Sequence, residues 1–364
     1  MIVHKLYRWS LDRVNGRFIS GWCFHRLHKT RPVSIAAAAD TTLLGEFTNN
    51  RYRPDLVTLN LHPDGVCGFD FSFPDSFDPA DFDRLYLYFD SSKTPVAAID
   101  CGNIDMLRPH HRSPVCFMHI PKTAGTSFNA FARCCYAGSR FQTHIERIDR
   151  DQRAAVAAGA DFIAGHLPLY EMEQLGISSC AYYSIIREPF SQLHSHLNYV
   201  RGVRPGAGVE AHYAYHHNET VKRLSDKLND IDFSEPDEIR AFVEGLADFE
   251  LDFFDNIQTR YFLDYRPGRV KPDDLDKAVT NLKRFRSIGL TEAYDAFRDR
   301  FCEDLGLDPQ SQDLRSNRSA SYRLFDLGRP AVREVLRPLV VHDLDLYAYV
   351  SEQFWQKTAH LDRS

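Results

Sequence analysis

The stretch His119-Ile-Pro-Lys-Thr-Ala-Gly-Thr-Ser127 follows the apolar run Val115-Cys-Phe-Met-His-Ile120 and leads into a segment of helical texture. Small side chains let such a connection curl tightly. The backbone N–H groups of the loop and first helical turn then converge on one point, where an anion is favoured. Lys122 adds a mobile positive charge, and Thr126 and Ser127 add hydroxyl donors that would also serve as helix caps. The expected chemistry is the cradling of a phosphate-like group. A nucleoside-triphosphatase loop is not expected, because the Gly-Lys-[Ser/Thr] ending whose hydroxyl holds magnesium is absent.

A second chemically equipped turn is Ile185-Ile-Arg-Glu-Pro-Phe-Ser-Gln-Leu-His-Ser195, again passing from an apolar run into a helix. The planar fork of Arg187 suits bidentate donation to a phosphate, and Pro189 fits a first helical turn. The plain alternative is an Arg187–Glu188 pair at a helix start. A third element, Phe162-Ile-Ala-Gly-His-Leu-Pro168, sets His166 just beyond another apolar run, where an imidazole near its ordinary pKa accepts a proton around neutrality. His119 is the weaker candidate, and a structural role is expected for it.

These motifs resemble the PAPS-dependent carbohydrate sulfotransferases (PAPS, 3′-phosphoadenosine 5′-phosphosulfate), in particular the branch of heparan sulfate 2-O-sulfotransferase. Pro121-Lys122-Thr123-Ala124-Gly125-Thr126-Ser127 matches that family's 5′-phosphosulfate loop almost residue for residue. Arg187 and Ser195 match the pair that holds the donor's 3′-phosphate, with Glu188 replacing a more usual Asp and Gln192 standing where many relatives have Arg. The resemblance implies that His166 is the catalytic base and that Lys122 faces the oxygen between phosphate and sulfate, as a preplaced cation where charge grows. It also implies PAPS as donor, PAP as product, no metal, and a glycan or saccharide-containing acceptor. Asn256-Ile-Gln-Thr-Arg-Tyr261, Leu290-Thr-Glu292 and Leu344-Asp-Leu-Tyr347 resemble further family segments, with roles expected to be mainly architectural. Arg318, in the polar loop Ser311–Ser319, sits where relatives bring residues over the donor, and a solvated loop is an equal alternative.

Apolar runs alternating with helical patterns predict a parallel sheet, with strands at Val115–Ile120, Phe162–Ala164, Tyr182–Ile186 and Ser287–Leu290. In a doubly wound sheet the strand ends collect at one edge, where ligands bind. Residues 201–250, with Ala211-His-Tyr-Ala-Tyr-His-His217, lack strand patterns and suit an acceptor cleft, and 330–355 suits closing helices. Upstream, Arg17–Phe24, Val33–Ala39, Gly68–Phe73 and Leu85–Phe89 predict short strands, with Phe69, Phe71 and Phe73 on one face. The expected architecture is therefore α/β, a P-loop-like parallel sheet flanked by helices (the sulfotransferase fold, by resemblance), preceded by a small all-β, sandwich-like module. The expected domains are a β-module over 1–105, a linker over 106–114 within an irregular stretch from Ser91, and a sulfotransferase domain over 115–364. Gly21-Trp22, Arg53-Pro54-Asp55 and Gly68-Phe69 resemble a module attached to bacterial carbohydrate-active proteins.

Composition narrows the classes. Lys and Arg total 44 against 50 Asp and Glu, a formal charge of -6, so a nucleic-acid partner is not expected. No signal peptide or bilayer-length apolar run is seen, and a cytoplasmic setting is expected. The eight cysteines form no CxxC pair, so reduced, mostly buried thiols are expected rather than a zinc site. Two other classes stay open: a non-catalytic nucleotide- or glycan-binding protein, which retention of His166 and Lys122 opposes, and a kinase, which loss of transfer on magnesium chelation would reveal.

Overall fold

The computed structural model describes residues 6–107, 109, 113–136, 138–203, 219–265, 267–307 and 324–361. The Ala211–His217 stretch and Arg318 lie outside the described residues. The chain forms two compact units, Met1–His110 together with Phe131–Phe141, and His111–Ala130 together with Gln142–Ser364.

The first unit contains β1 (Tyr7–Val14), β2 (Phe18–His25), β3 (Ser34–Ala39), β4 (Thr42–Thr48), β5 (Arg51–Tyr52), α1 (Pro54–Thr58), β6 (Val66–Ser72), β7 (Arg84–Phe89) and β8 (Ala97–Asp100). The strands make two antiparallel sheets of order β1-β2-β6-β5 and β4-β3-β7-β8. One apolar core draws on both, with Ile19 and Phe69 from the first and Ile35, Leu85 and Leu87 from the second. Phe69, Phe71 and Phe73 do share that inner face, and Phe71 stacks on Phe47 of β4 at 4.5 Å between ring centroids. The stretch expected to be irregular from Ser91 instead holds β8, followed by buried Cys101 and Ile104. Its four residues alternate half-buried and exposed, a pattern too short to stand out in the sequence.

The second unit is built on a five-stranded sheet in the order β10 (Phe141–Gln142), β11 (Phe162–Gly165), β9 (Val115–Met118), β12 (Ala181–Ile186), β13 (Phe285–Leu290). The β11/β9, β9/β12 and β12/β13 pairs are parallel. Every residue of β9 and β11 is buried, which is why these strands read as unbroken apolar runs. The helices are α2 (Gly125–Cys135), α3 (Arg150–Ala158), α4 (Leu169–Glu173), α5 (Pro189–Arg201), α6 (Glu219–Asn229), α7 (Pro236–Glu244), α8 (Asp248–Phe254), α9 (Ile257–Tyr261), α10 (Pro272–Leu282), α11 (Tyr294–Leu305), α12 (Pro330–Leu336) and α13 (Val341–Leu361). The described part of 201–250 is helical: Leu224, Leu228, Ile239 and Phe242 bury against Leu193 and Leu197 of α5 and Val332 and Leu336 of α12. No helix among the described residues is long and apolar enough to cross a membrane. All eight cysteines are free thiols, and only Cys180 is not fully buried.

Candidate functional site

The loop from β9 to α2 is shaped by two residues in the left-handed region, Lys122 (φ 66°) and Ala124 (φ 70°). Both carry a Cβ, so the conformation is costly and must be held by its neighbours. Thr123 is buried and its hydroxyl donates to the Ile120 carbonyl at 2.9 Å, pinning the turn from inside. Ala124 presents its carbonyl to the N–H groups of Ser127 (3.0 Å) and Phe128 (3.1 Å), so the helix starts at Gly125. Thr126 and Ser127 therefore lie inside the first helical turn instead of capping it, because the cap position falls on Ala124. The early N–H groups of such a turn have no intrahelical acceptor and point out of the helix end. Gly125 is obligatory for packing: a Cβ there would meet the ring of buried His119 at 2.0 Å.

Arg187 follows β12, the neighbour of β9, and its guanidinium Nη1 donates to the Lys122 carbonyl at 3.2 Å. The two turns are thus brought together. Gln192, buried on α5, donates to the Pro121 carbonyl at 2.9 Å and makes a second tie between them. Tyr199, one further turn pair along the same helical face, lies under the Lys122 ammonium, with Nζ 5.1 Å from the ring centroid. Ser195 sits between Gln192 and Tyr199 at i+3 and i−4, so it shares the stripe that faces the loop. Glu188 does not pair with Arg187: its carboxylate caps α5, accepting from the N–H groups of Phe190 (3.3 Å) and Ser191 (2.8 Å).

Electrostatically the site is unbalanced. Burial, and then the nearby charge of Arg187, lowers the Lys122 pKa; burial likewise lowers that of Arg187, against the pull of Glu292 and Glu188. Among the described residues neither cation forms an ion pair. Two half-buried like charges held side by side are unfavourable until an anion reaches both.

His166 follows β11 on the other side of β9. Its Nδ1 lies 2.7 Å from the His119 carbonyl. A carbonyl only accepts, so Nδ1 carries the proton and Nε2 keeps a lone pair. Burial pushes His166 below the ordinary histidine value, against the opposing charge of Glu146, and burial holds His119 well below it. The His119 and His166 rings are 4.1 Å apart. His119 thus packs against Gly125 and holds the His166 ring through its carbonyl. Glu146 accepts from the His166 N–H at 3.0 Å and lies 3.0 Å from His144 Nδ1. Its carboxyl would rise on burial, but the His144 hydrogen bond, the charge of His166 and backbone donors bring it to about 2. Gly165 permits this approach, since a Cβ there would lie 2.8 Å from Glu146 Oε2.

The segments expected to be architectural hold the Arg187 turn. Gln258 accepts from the Arg187 N–H at 2.8 Å and donates to the Arg187 carbonyl at 2.9 Å. Thr291 donates to the Ile186 carbonyl at 3.2 Å, and Glu292 accepts from the Glu188 N–H at 3.0 Å and from the Tyr347 hydroxyl at 3.1 Å. Buried Asp343 in turn accepts from the N–H groups of Gln258 (3.2 Å) and Thr259 (2.7 Å) and the Thr259 hydroxyl (2.7 Å). Gln258→Ala, which strands two backbone groups of Arg187, is expected to cost about 2 kcal/mol of unfolding free energy by urea titration. A cost below about 0.5 kcal/mol would show that solvent replaces the clamp.

The sequence-predicted residues Pro121–Ser127, Arg187, Ser195 and His166 all belong to this unit, and contacts link the loop to Arg187 directly and to His166 through His119. Tyr199, His144, Glu146 and Gln258 escape sequence reasoning as site residues, and Gln192 enters it only as a departure from the resembled family's arginine. Only the His-x-Glu spacing of His144 and Glu146 offered a signal. A cleft lined by Phe285, Arg286, Arg300, Tyr349 and Phe354 is a separate feature and includes none of them. No family model matches the chain, and no curated protein shows a significant match to it.

Proposed function

We propose that this chain transfers a sulfuryl group from PAPS to a carbohydrate hydroxyl. The observation that carries the proposal is the adjacency of Lys122 and Arg187, two cations without carboxylate partners among the described residues, at the mouth of an N–H-lined turn. A doubly anionic nucleotide is the ligand class that would relieve both charges. In this reading the loop Pro121–Ser127 holds the phosphosulfate, and Arg187 with Ser195 holds the 3′-phosphate.

The acceptor oxygen attacks sulfur as the bond from sulfur to the bridging oxygen breaks in line. The electron pair of that bond stays with PAP, facing the Lys122 ammonium, and the hydroxyl proton passes to His166 Nε2. The His119 carbonyl keeps the Nδ1 proton in place, so the imidazole enters the reaction with its lone pair toward the acceptor. Free thiols suit the proposed cytoplasmic setting. The first unit's paired antiparallel sheets suit an accessory β-module, and Arg318 stays a proposed donor contact.

The test is incubation with sulfur-labelled PAPS and a panel of glycans, together with calorimetry using PAP. Label transfer is expected, and Arg187→Ala should weaken PAP binding by roughly 10- to 100-fold, the worth of charge-assisted hydrogen bonds to one phosphate. PAP binding that is absent in the wild type, or untouched in Arg187→Ala, would end the proposal.

A further inference from the structure

His144, Glu146 and His166 each offer one ligand atom, and these atoms all lie within 4.8 Å of one another. We infer that they form a site for a divalent transition-metal ion of the zinc class, and that its occupation switches the proposed transfer off. Two imidazole nitrogens and one carboxylate oxygen are a donor set suited to zinc, cobalt or ferrous iron, and poorly suited to magnesium or calcium, which take oxygen ligands.

The supporting contacts are those of a metal site. Ligating histidines donate their other ring N–H to a carbonyl or carboxylate, which fixes the tautomer. His166 Nδ1 makes that bond to the His119 carbonyl, leaving Nε2 as the ligand atom. His144 Nδ1 stands 3.0 Å from Glu146 Oε1, and its ring centroid is 6.0 Å from that of His166. His144 is held in the left-handed region at φ 55°, an uncommon conformation for a residue with a Cβ. The Glu146 carboxylate is steadied by the His166 N–H and admitted by Gly165. Ligand atoms around a tetrahedral ion sit about 3.4 Å apart, from bonds of about 2.1 Å, so closure asks for side-chain rotations of little more than about 1 Å. Three protein ligands leave a position for water.

The binding claim stands on these residues alone, whereas the switching claim rests on the proposed role of His166. A metal on Nε2 occupies the lone pair that would take the acceptor proton. No covalent bond of protein or donor is broken, the His144–Glu146 contact gives way to ligation of the ion, and a chelator reverses the effect.

The test titrates the full chain, stripped of metal, with cobalt(II). Saturable binding of one ion with the visible bands of tetrahedral cobalt is expected, displaced by zinc. His144→Ala and the near-isosteric Glu146→Gln should each weaken cobalt binding by at least roughly 10-fold, with circular dichroism confirming the fold. Zinc should suppress wild-type transfer, and the ratio of rates with and without zinc should move toward one in both variants. Absent cobalt bands, or binding unchanged in both variants, would overturn the site. If the stripped chain gives the cobalt bands on titration but its transfer activity is lost on chelation and restored by the metal, the metal-free role of His166 and the switching claim are overturned while the metal site stands.

Discussion

His166→Ala should retain at most about one hundredth of wild-type turnover, within the 10²- to 10⁴-fold range that a positioned general base supplies, while PAP affinity changes little. The two readouts separate because His166 meets the proposed donor loop through the His119 carbonyl, whereas Lys122 and Arg187 are the charges proposed to meet the donor. The pH profile carries the same logic. Burial lowers the His166 pKa, so in chelator-treated buffer kcat/KM should climb with rising pH, with its midpoint below the ordinary histidine value of about 6.5, and level off above it. Equal turnover in wild type and His166→Ala, or a profile still rising above about pH 7.5, would remove the assignment.

Lys122→Ala is expected to lower kcat by roughly 10²- to 10³-fold, the scale for deleting one preorganised charge-stabilising donor. The effect should fall on kcat more than on KM for PAPS, because the bridging oxygen gains charge only as sulfur leaves it. Lys122→Arg keeps the charge but replaces a compact ammonium, seated over Tyr199, by a broad planar group, and should restore only part of the loss. A Lys122→Ala enzyme whose whole defect is a raised KM would show that the lysine grips the donor equally before and during transfer.

What the sequence made legible has a physical pattern. β9 and β11 are buried on both faces, so they appear as apolar runs, and Pro121–Ser127 appears because a tight turn into a helix tolerates few residue types. β1 and β8 did not stand out, because partly exposed strands mix polar residues into a short alternation. Gln192 is the instructive case. It stands where the resembled family commonly has an arginine, yet it is buried and spans 71 residues to the Pro121 carbonyl. A side chain bonded to backbone leaves no complementary residue type at its partner, so such a tie is invisible until the fold is known. The same holds for Gln258 on Arg187, and for His144 and Glu146, which reach His166 from 20 or so positions upstream.

The clamp on Arg187 also orders events during synthesis. Arg187 is gripped by Gln258, 71 residues later, and the backbone of Gln258 is gripped by Asp343, 85 residues later again. A ribosome that has emitted the first loop has therefore made the Pro121 and Lys122 carbonyls that meet the second turn, but neither Gln258 nor Asp343. The nascent chain carries a half-built second turn until almost its whole length has emerged, and truncations that spare both proposed phosphate loops and His166 but stop short of Asp343 should yield a protein that fails to bind PAP.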